Sequence, residues 1–124
     1  VKVMVKEGLF FRYPDLVVSC DERDQKNDTF YQFPKLIVEV LSDRTETVDR
    51  GDKFQEYIQI PTLEEYVLIS TKRMRVECFR RLEGRAWGYL PCKEGETVEI
   101  ASVGVELPIE QLYRNVRLDT VEPE

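Results

Sequence analysis

Histidine is absent from the chain, and cysteine occurs only three times, at Cys20, Cys78 and Cys92. The three thiols lie far apart and form no CxxC pair, so the spacing of a zinc site is missing. Reduced thiols in a cytoplasmic protein are the expectation, with Cys20 and Cys78, each in a strand-like run, acting as small core residues. No apolar stretch approaches the roughly 18 to 20 residues that cross a bilayer, and no signal-peptide pattern occurs, so no membrane partner is expected. Cations are the minority: 18 Lys and Arg against 24 Asp and Glu leave a formal net charge of −6. That balance argues against a protein that coats nucleic acid nonspecifically, because such affinity comes largely from neutralising phosphates.

What remains is an ordinary globular composition, 42% hydrophobic and 34% charged, with no internal repeat or low-complexity segment. A chain of 124 residues fits a single domain, 1–124, able to bury about two thirds of its unfolded surface around one core. The first residue is Val1, and "VKVMV" already alternates like a strand, so the sequence is expected to begin partway into a longer one, with N-terminal elements missing. Charge is uneven: six of the 18 basic residues lie between Lys72 and Arg85, which leaves room for a local basic groove.

"LVVSC" and "LIVEVL" are short β-branched runs with little alternation, which predicts strands covered on both faces and adjacent in the sheet centre. The polar stretch "CDERDQKNDTFYQFP" between them reads as a surface loop closed by Pro34. Over "SDRTETVDRGDKFQEYIQIP" the period changes to that of a helix of about four turns, with Ser42, Asp43 or Thr45 as caps, Glu46 and Asp49 near its positive end, and Pro61 as the stop. "EEYVLIST" resumes strand character, and strand, helix, strand is a crossover unit that makes the two strands parallel. "MRVECFRR" and "RAWGYLPC" flank a Gly84 turn as a hairpin, "ETVEIAS" adds a short strand, and "LPIEQLYRNV" offers a closing helix with Pro108 in its first turn. The fold class is therefore α/β or α+β on a small mixed sheet.

Two carboxylates stand out against this pattern. Asp15 follows Pro14 at the mouth of one strand, and Glu39 interrupts the interior of the next. An ionised Glu in so apolar a run is costly unless a positive group pairs with it. If the strands are neighbours, the two acids meet at one edge of the core, the donor set that Mg2+ or Mn2+ takes with waters and phosphate oxygens. Asp49, Lys53 and Tyr57, spaced by four, share one helix face, from which Lys53 can reach the acids. Taken singly, Asp15 reads as a strand start, Lys53 as an i,i+4 partner of Asp49, and Tyr57 as a core ring; only the combination points to metal-assisted phosphodiester hydrolysis.

"YPDLVVSCD", then "FPKLIVEVLSDRT", then "VDRGDKFQEYIQIPTLEEYVLIS" is similar in order and spacing to the Uma family of restriction-endonuclease-like proteins, within the PD-(D/E)XK nuclease superfamily. The resemblance covers roughly Arg12 to Ser70. It implies a restriction-endonuclease-like mixed sheet flanked by helices, with a divalent metal held by Asp15 and Glu39 and by the backbone carbonyl of Val40. The superfamily's usual lysine would fall at Leu41; in Uma-like sequences a helix lysine takes that role, and the matching position is Lys53, with Asp49 and Tyr57 as companions. The sequence departs from the family at Asp43, where a proline is common, and it lacks the helix that usually precedes the first strand. The function so implied is a Mg2+- or Mn2+-dependent endonuclease acting on DNA. The alternatives are a noncatalytic DNA-binding module that keeps the fold, and a homodimer-forming module with Trp87 and Tyr89 at its interface.

Overall fold

The computed structural model describes residues 2–6, 10–42 and 51–118. Along the chain run β1 (Val3–Lys6), β2 (Phe10–Arg12), β3 (Leu16–Val18), α1 (Glu22–Gln25), β4 (Leu36–Leu41), α2 (Asp52–Tyr57), β5 (Glu65–Ser70), β6 (Arg75–Arg81), β7 (Trp87–Lys93), β8 (Thr97–Ile100), a 3-10 turn (Ala101–Val103), β9 (Val105–Pro108) and α3 (Ile109–Leu112). Strands β3 to β7 form one sheet in sequence order, while β1 with β2 and β8 with β9 form separate two-stranded ribbons. Within this sheet, among the described residues, only β4 and β5 are parallel, in register from Leu36 opposite Glu65 to Leu41 opposite Ser70. The other pairings are antiparallel, so the architecture is the expected mixed sheet with antiparallel hairpins in its C-terminal half.

The sheet is covered on both faces because β4 and β5 are apolar on both. Leu36, Val38 and Val67 join Val76, Cys78, Val98 and Ile109 in one core cluster. Ile37, Leu41, Tyr66 and Leu68 join Tyr57, Ile60 and Leu63 in the other. Alternation along each strand sends neighbours to opposite faces, and each fully buried aliphatic side chain contributes roughly 1.5–3 kcal/mol relative to exposure. The second cluster belongs to α2, whose Phe54 ring packs 4.5 Å from Phe79 and 6.0 Å from Tyr66, with Tyr57 5.2 Å from Tyr66.

Several expectations need correction. The "LVVSC" run neighbours β4, but it is three residues long, stands at the end of the strand order and leaves Leu16 exposed. Only Val17 and Val18 of it pack inward, so its apolar character covers the sheet edge and not the centre. Cys20 is exposed, because the strand ends two residues before it; Cys78 is buried as expected. The stretch expected as plain loop contains α1 and the buried Asp24, which accepts from Ser19 Oγ and from the Gln32 and Phe33 amides at 2.8 and 2.9 Å. Those bonds satisfy backbone donors that no strand takes up. Where one helix of about four turns was expected, the described residues hold only the six-residue α2, Asp52–Tyr57, with Gly51 as its N-cap; Asp43, Thr45, Glu46 and Asp49 lie outside the described residues. At the β6–β7 turn Gly84 adopts φ +67, a conformation that costs glycine nothing and other residues about 1 kcal/mol or more.

A buried acid fastens the β8–β9 ribbon to the sheet. Glu65, with no exposed surface, is 3.0 Å from Arg80 Nε and accepts from the Ala101 and Ser102 amides of the 3-10 turn. No helix among the described residues is long and apolar enough to cross a membrane.

Candidate active site

The pairing of β3 with β4 decides where the two acids stand. Leu16 faces Val38 and Val17 faces Ile37, so β3 brings Asp15, the bend residue just before it, to the end of β4 that carries Glu39 and Val40. Asp15 is exposed, and its Oδ2 accepts from the Val40 amide at 2.7 Å. Pro14 precedes Asp15 at this edge. Proline has no amide hydrogen to return to the Val40 carbonyl, and in an extended strand that carbonyl points to the same side as its own amide.

Glu39 is the polar exception on the odd-numbered side of β4, between Ile37 and Leu41. Its side chain is 4% exposed, and Lys53 Nζ lies 3.0 Å from its Oε2 with 17% of the lysine side chain exposed. The helix delivers the amine by packing: Phe54 and Tyr57 anchor α2 on the sheet, and Lys53, one turn before Tyr57, then hangs over β4. A bidentate bridge from Arg12 Nε and Nη2 to Glu56, at 2.7 and 2.8 Å, ties the same helix to β2 and raises the Arg12 pKa. Tyr57, expected as a companion of Lys53, has no exposed surface and packs as a core ring. The other proposed companion, Asp49, lies outside the described residues.

Leu41 explains why the amine comes from a helix. It stands two residues after Glu39, on the same face, and is buried in the α2-side core. An apolar side chain thus occupies the place where a strand lysine would reach the acid, and α2 offers one from above. Among the described residues no group of three or more acids or cysteines gathers as a metal cage. Two carboxylates with a backbone carbonyl nevertheless suit Mg2+, which retains several waters and takes one or two protein carboxylates.

Sequence reasoning missed Glu77. In register Glu39 pairs with Leu68, Leu68 with Glu77, and Glu77 with Pro91. Glu77 is therefore on the same face, two strand intervals or about 9–10 Å from Glu39. It is buried, accepts from Tyr89 Oη at 2.7 Å and lies 3.7 Å from Arg75 Nε. The available signal was the one that marked Glu39: an acid at an inward position of a strand, here "MRVECFRR". Trp87 and Tyr89, considered for a dimer interface, also serve within the chain, where Arg81 stacks over Trp87 at 4.6 Å and Tyr89 holds Glu77.

Residues 2–110 match the family Uma2, described as "Putative restriction endonuclease". An uncharacterized protein, slr1290, of Synechocystis sp. (strain ATCC 27184 / PCC 6803 / Kazusa) is 32% identical over 94% of this chain and 61% of its own length. A second from that organism, sll1609, is 33% identical over 81% of this chain and 57% of its own. The chain thus spans about three fifths of these relatives. A crystal structure described as "a putative nuclease belonging to DUF820", from Anabaena variabilis ATCC 29413, superposes with TM-score 0.71 at 14% identity, over 94% of this chain and 66% of that one. The shared fold is that of the nuclease-like sheet.

Proposed function

The chain belongs to the Uma2 family of restriction-endonuclease-like proteins, and we propose that it is a divalent-metal-dependent endonuclease that hydrolyses DNA phosphodiester bonds. The observation that carries this reading is the Asp15 carboxylate held on the amide of Val40, the residue that follows buried Glu39, with Lys53 Nζ 3.0 Å from Glu39 Oε2. Asp15, Glu39 and the Val40 carbonyl would hold Mg2+ or Mn2+. The ion would polarise a phosphoryl oxygen and make water more acidic. Lys53 keeps a positive charge beside the buried acid and, from there, orients an attacking water and stabilises charge on the phosphate. Hydrolysis adds water across one P–O ester bond: the water oxygen goes to phosphorus and a proton to the leaving oxygen.

The Val40 amide holds Asp15 at the sheet edge, so this carboxylate is oriented before any ion arrives, and Glu39 is oriented by its ion pair. Nicking of supercoiled plasmid with Mg2+ or Mn2+, together with calorimetric titration of the ion, tests the proposal. Asp15→Ala is expected to abolish cleavage and Glu39→Gln to remove the heat of Mg2+ binding. Cleavage that persists unchanged in both variants would remove these residues from the chemistry. The rival reading, a noncatalytic module with this fold, predicts no heat sensitive to Glu39→Gln.

A further inference from the structure

The fold divides the basic run between Lys72 and Arg85 into two groups. Arg80 is committed to Glu65 and to the Glu99 carbonyl, and Arg81 donates to the carbonyls of Leu63 and Ile60 while stacking on Trp87. Those two are structural. Arg73 and Arg75 sit instead where β5 passes into β6, at the end of the sheet that holds Glu39. There Thr71 Oγ1 donates to the Leu41 carbonyl at 2.6 Å, tying the turn to the end of β4.

Arg75 is directly opposite Lys93 in the β6–β7 register, and both share a face with Glu77 and Tyr89, hence with Glu39. Like charges directly opposed in a sheet are unfavourable. Glu77, 3.7 Å away, and Tyr89 Oη, 3.3 Å away, orient the Arg75 guanidinium, whose side chain remains 40% exposed. The side chains of Arg73 and Lys93 are exposed and form no ion pair among the described residues. They border a groove of about 570 Å³ whose apolar wall includes Met74 and Pro91. The carboxylate in that groove, Glu96, is held by the Lys93 amide at 2.8 Å. An oriented guanidinium beside two uncommitted cations, in a chain of net charge −6, suits a polyanion that lies along the face.

We propose that Arg73, Arg75 and Lys93 form a phosphate-binding strip that grips the nucleic-acid backbone beyond the carboxylate pair. The choice of nucleic acid rests on the proposed function. From β4 to β7 is three strand intervals, about 14 Å, or about four nucleotide rises along one DNA strand from the reacting phosphate.

The test is anisotropy of a labelled DNA duplex of about 20 base pairs, in EDTA so that cleavage plays no part, between about 50 and 200 mM salt. Arg73→Gln/Lys93→Gln is compared with Arg85→Gln/Lys26→Gln, which removes the same charge from exposed positions outside the strip. Losing two phosphate contacts lowers the slope of log affinity against log salt by nearly two, so across that range the wild-type chain loses about twelvefold more affinity than the strip variant. The control variant is expected to keep the wild-type slope. Equal slopes in strip variant and control, or no binding by the wild-type chain at the lowest salt, would overturn the strip. Plasmid nicking by the wild-type chain separates the two claims. A reduced slope without nicking leaves the strip standing and removes the hydrolysis, whereas metal-dependent nicking with equal slopes does the reverse.

Discussion

Replacing Lys53 by Met probes the site without substrate or metal. The ammonium lies 3.0 Å from Glu39 Oε2, in a pair whose side chains are 17% and 4% exposed. At an effective dielectric of about 20, unit charges that close attract by about 5 kcal/mol. Desolvation of both groups offsets about half of this, so a coupling of about 2–3 kcal/mol is expected. Lys53→Met alone therefore lowers stability by about that amount, since the buried carboxylate loses a cation 3.0 Å away, and a domain of this size should melt about 8–12 °C lower. Adding Glu39→Gln removes the charge that needed compensation, so the double variant recovers most of the loss. Urea unfolding of wild type, both single variants and the double variant at neutral pH in EDTA closes the cycle. Raising the salt should weaken the coupling little, because a buried pair is poorly screened. A coupling below about 0.5 kcal/mol would mean that in solution the amine does not hold the acid. The helix-borne lysine would then lose its place in the proposed chemistry.

Glu65→Ala should cost about 3–5 kcal/mol in the same urea assay, because it strips the buried carboxylate from Arg80, which keeps its contacts to Glu99, and from two amides of the 3-10 turn; a loss under about 1 kcal/mol would show that the ribbon is fastened otherwise. Burial pushes the Cys78 thiol up to about 11, so at pH 8 iodoacetamide should label exposed Cys20 rapidly and Cys78 only on unfolding; equal labelling rates would contradict that burial. Hydrogen bonds from Arg23 pull the Asp21 carboxyl down to about 2 from an ordinary 3.8. Its capping of α1 is thus fully present above pH 3.8 and is lost as pH falls through about 2, and a carboxyl carbon titration midpoint near 3.8 would exclude that cap.

Much of the architecture was legible because it follows from local period. The apolar runs at Leu36–Leu41 and Glu65–Ser70, separated by a helix, specify a parallel crossover whatever surrounds them. The hairpin about Gly84 carries its own turn signal. Glu39 was conspicuous because an acid inside such a run needs a compensating charge, and Lys53 is one helical turn from a ring that has to be buried. Less was legible where polar residues take structural roles. Asp24, Glu65 and Glu77 are nearly or fully buried, yet each lies in a stretch whose composition reads as surface or alternating strand. Some of their partners lie as many as 37 residues away, beyond any local pattern.

By itself the sequence determined the strands β4 to β7 and the crossover between β4 and β5, where an uncompensated charge sits in an apolar run, and that a cation on the following helix could answer it. Tertiary structure alone decided that β3 ends the described strand order, that the Val40 amide takes the Asp15 carboxylate, and that Arg80 and Arg81 are tied into the fold while Arg73 and Lys93 form no ion pair among the described residues. The physical reason is that period and composition act over neighbouring residues. Register and partnership depend on which distant backbone supplies the opposing hydrogen bonds, and only the assembled sheet fixes that.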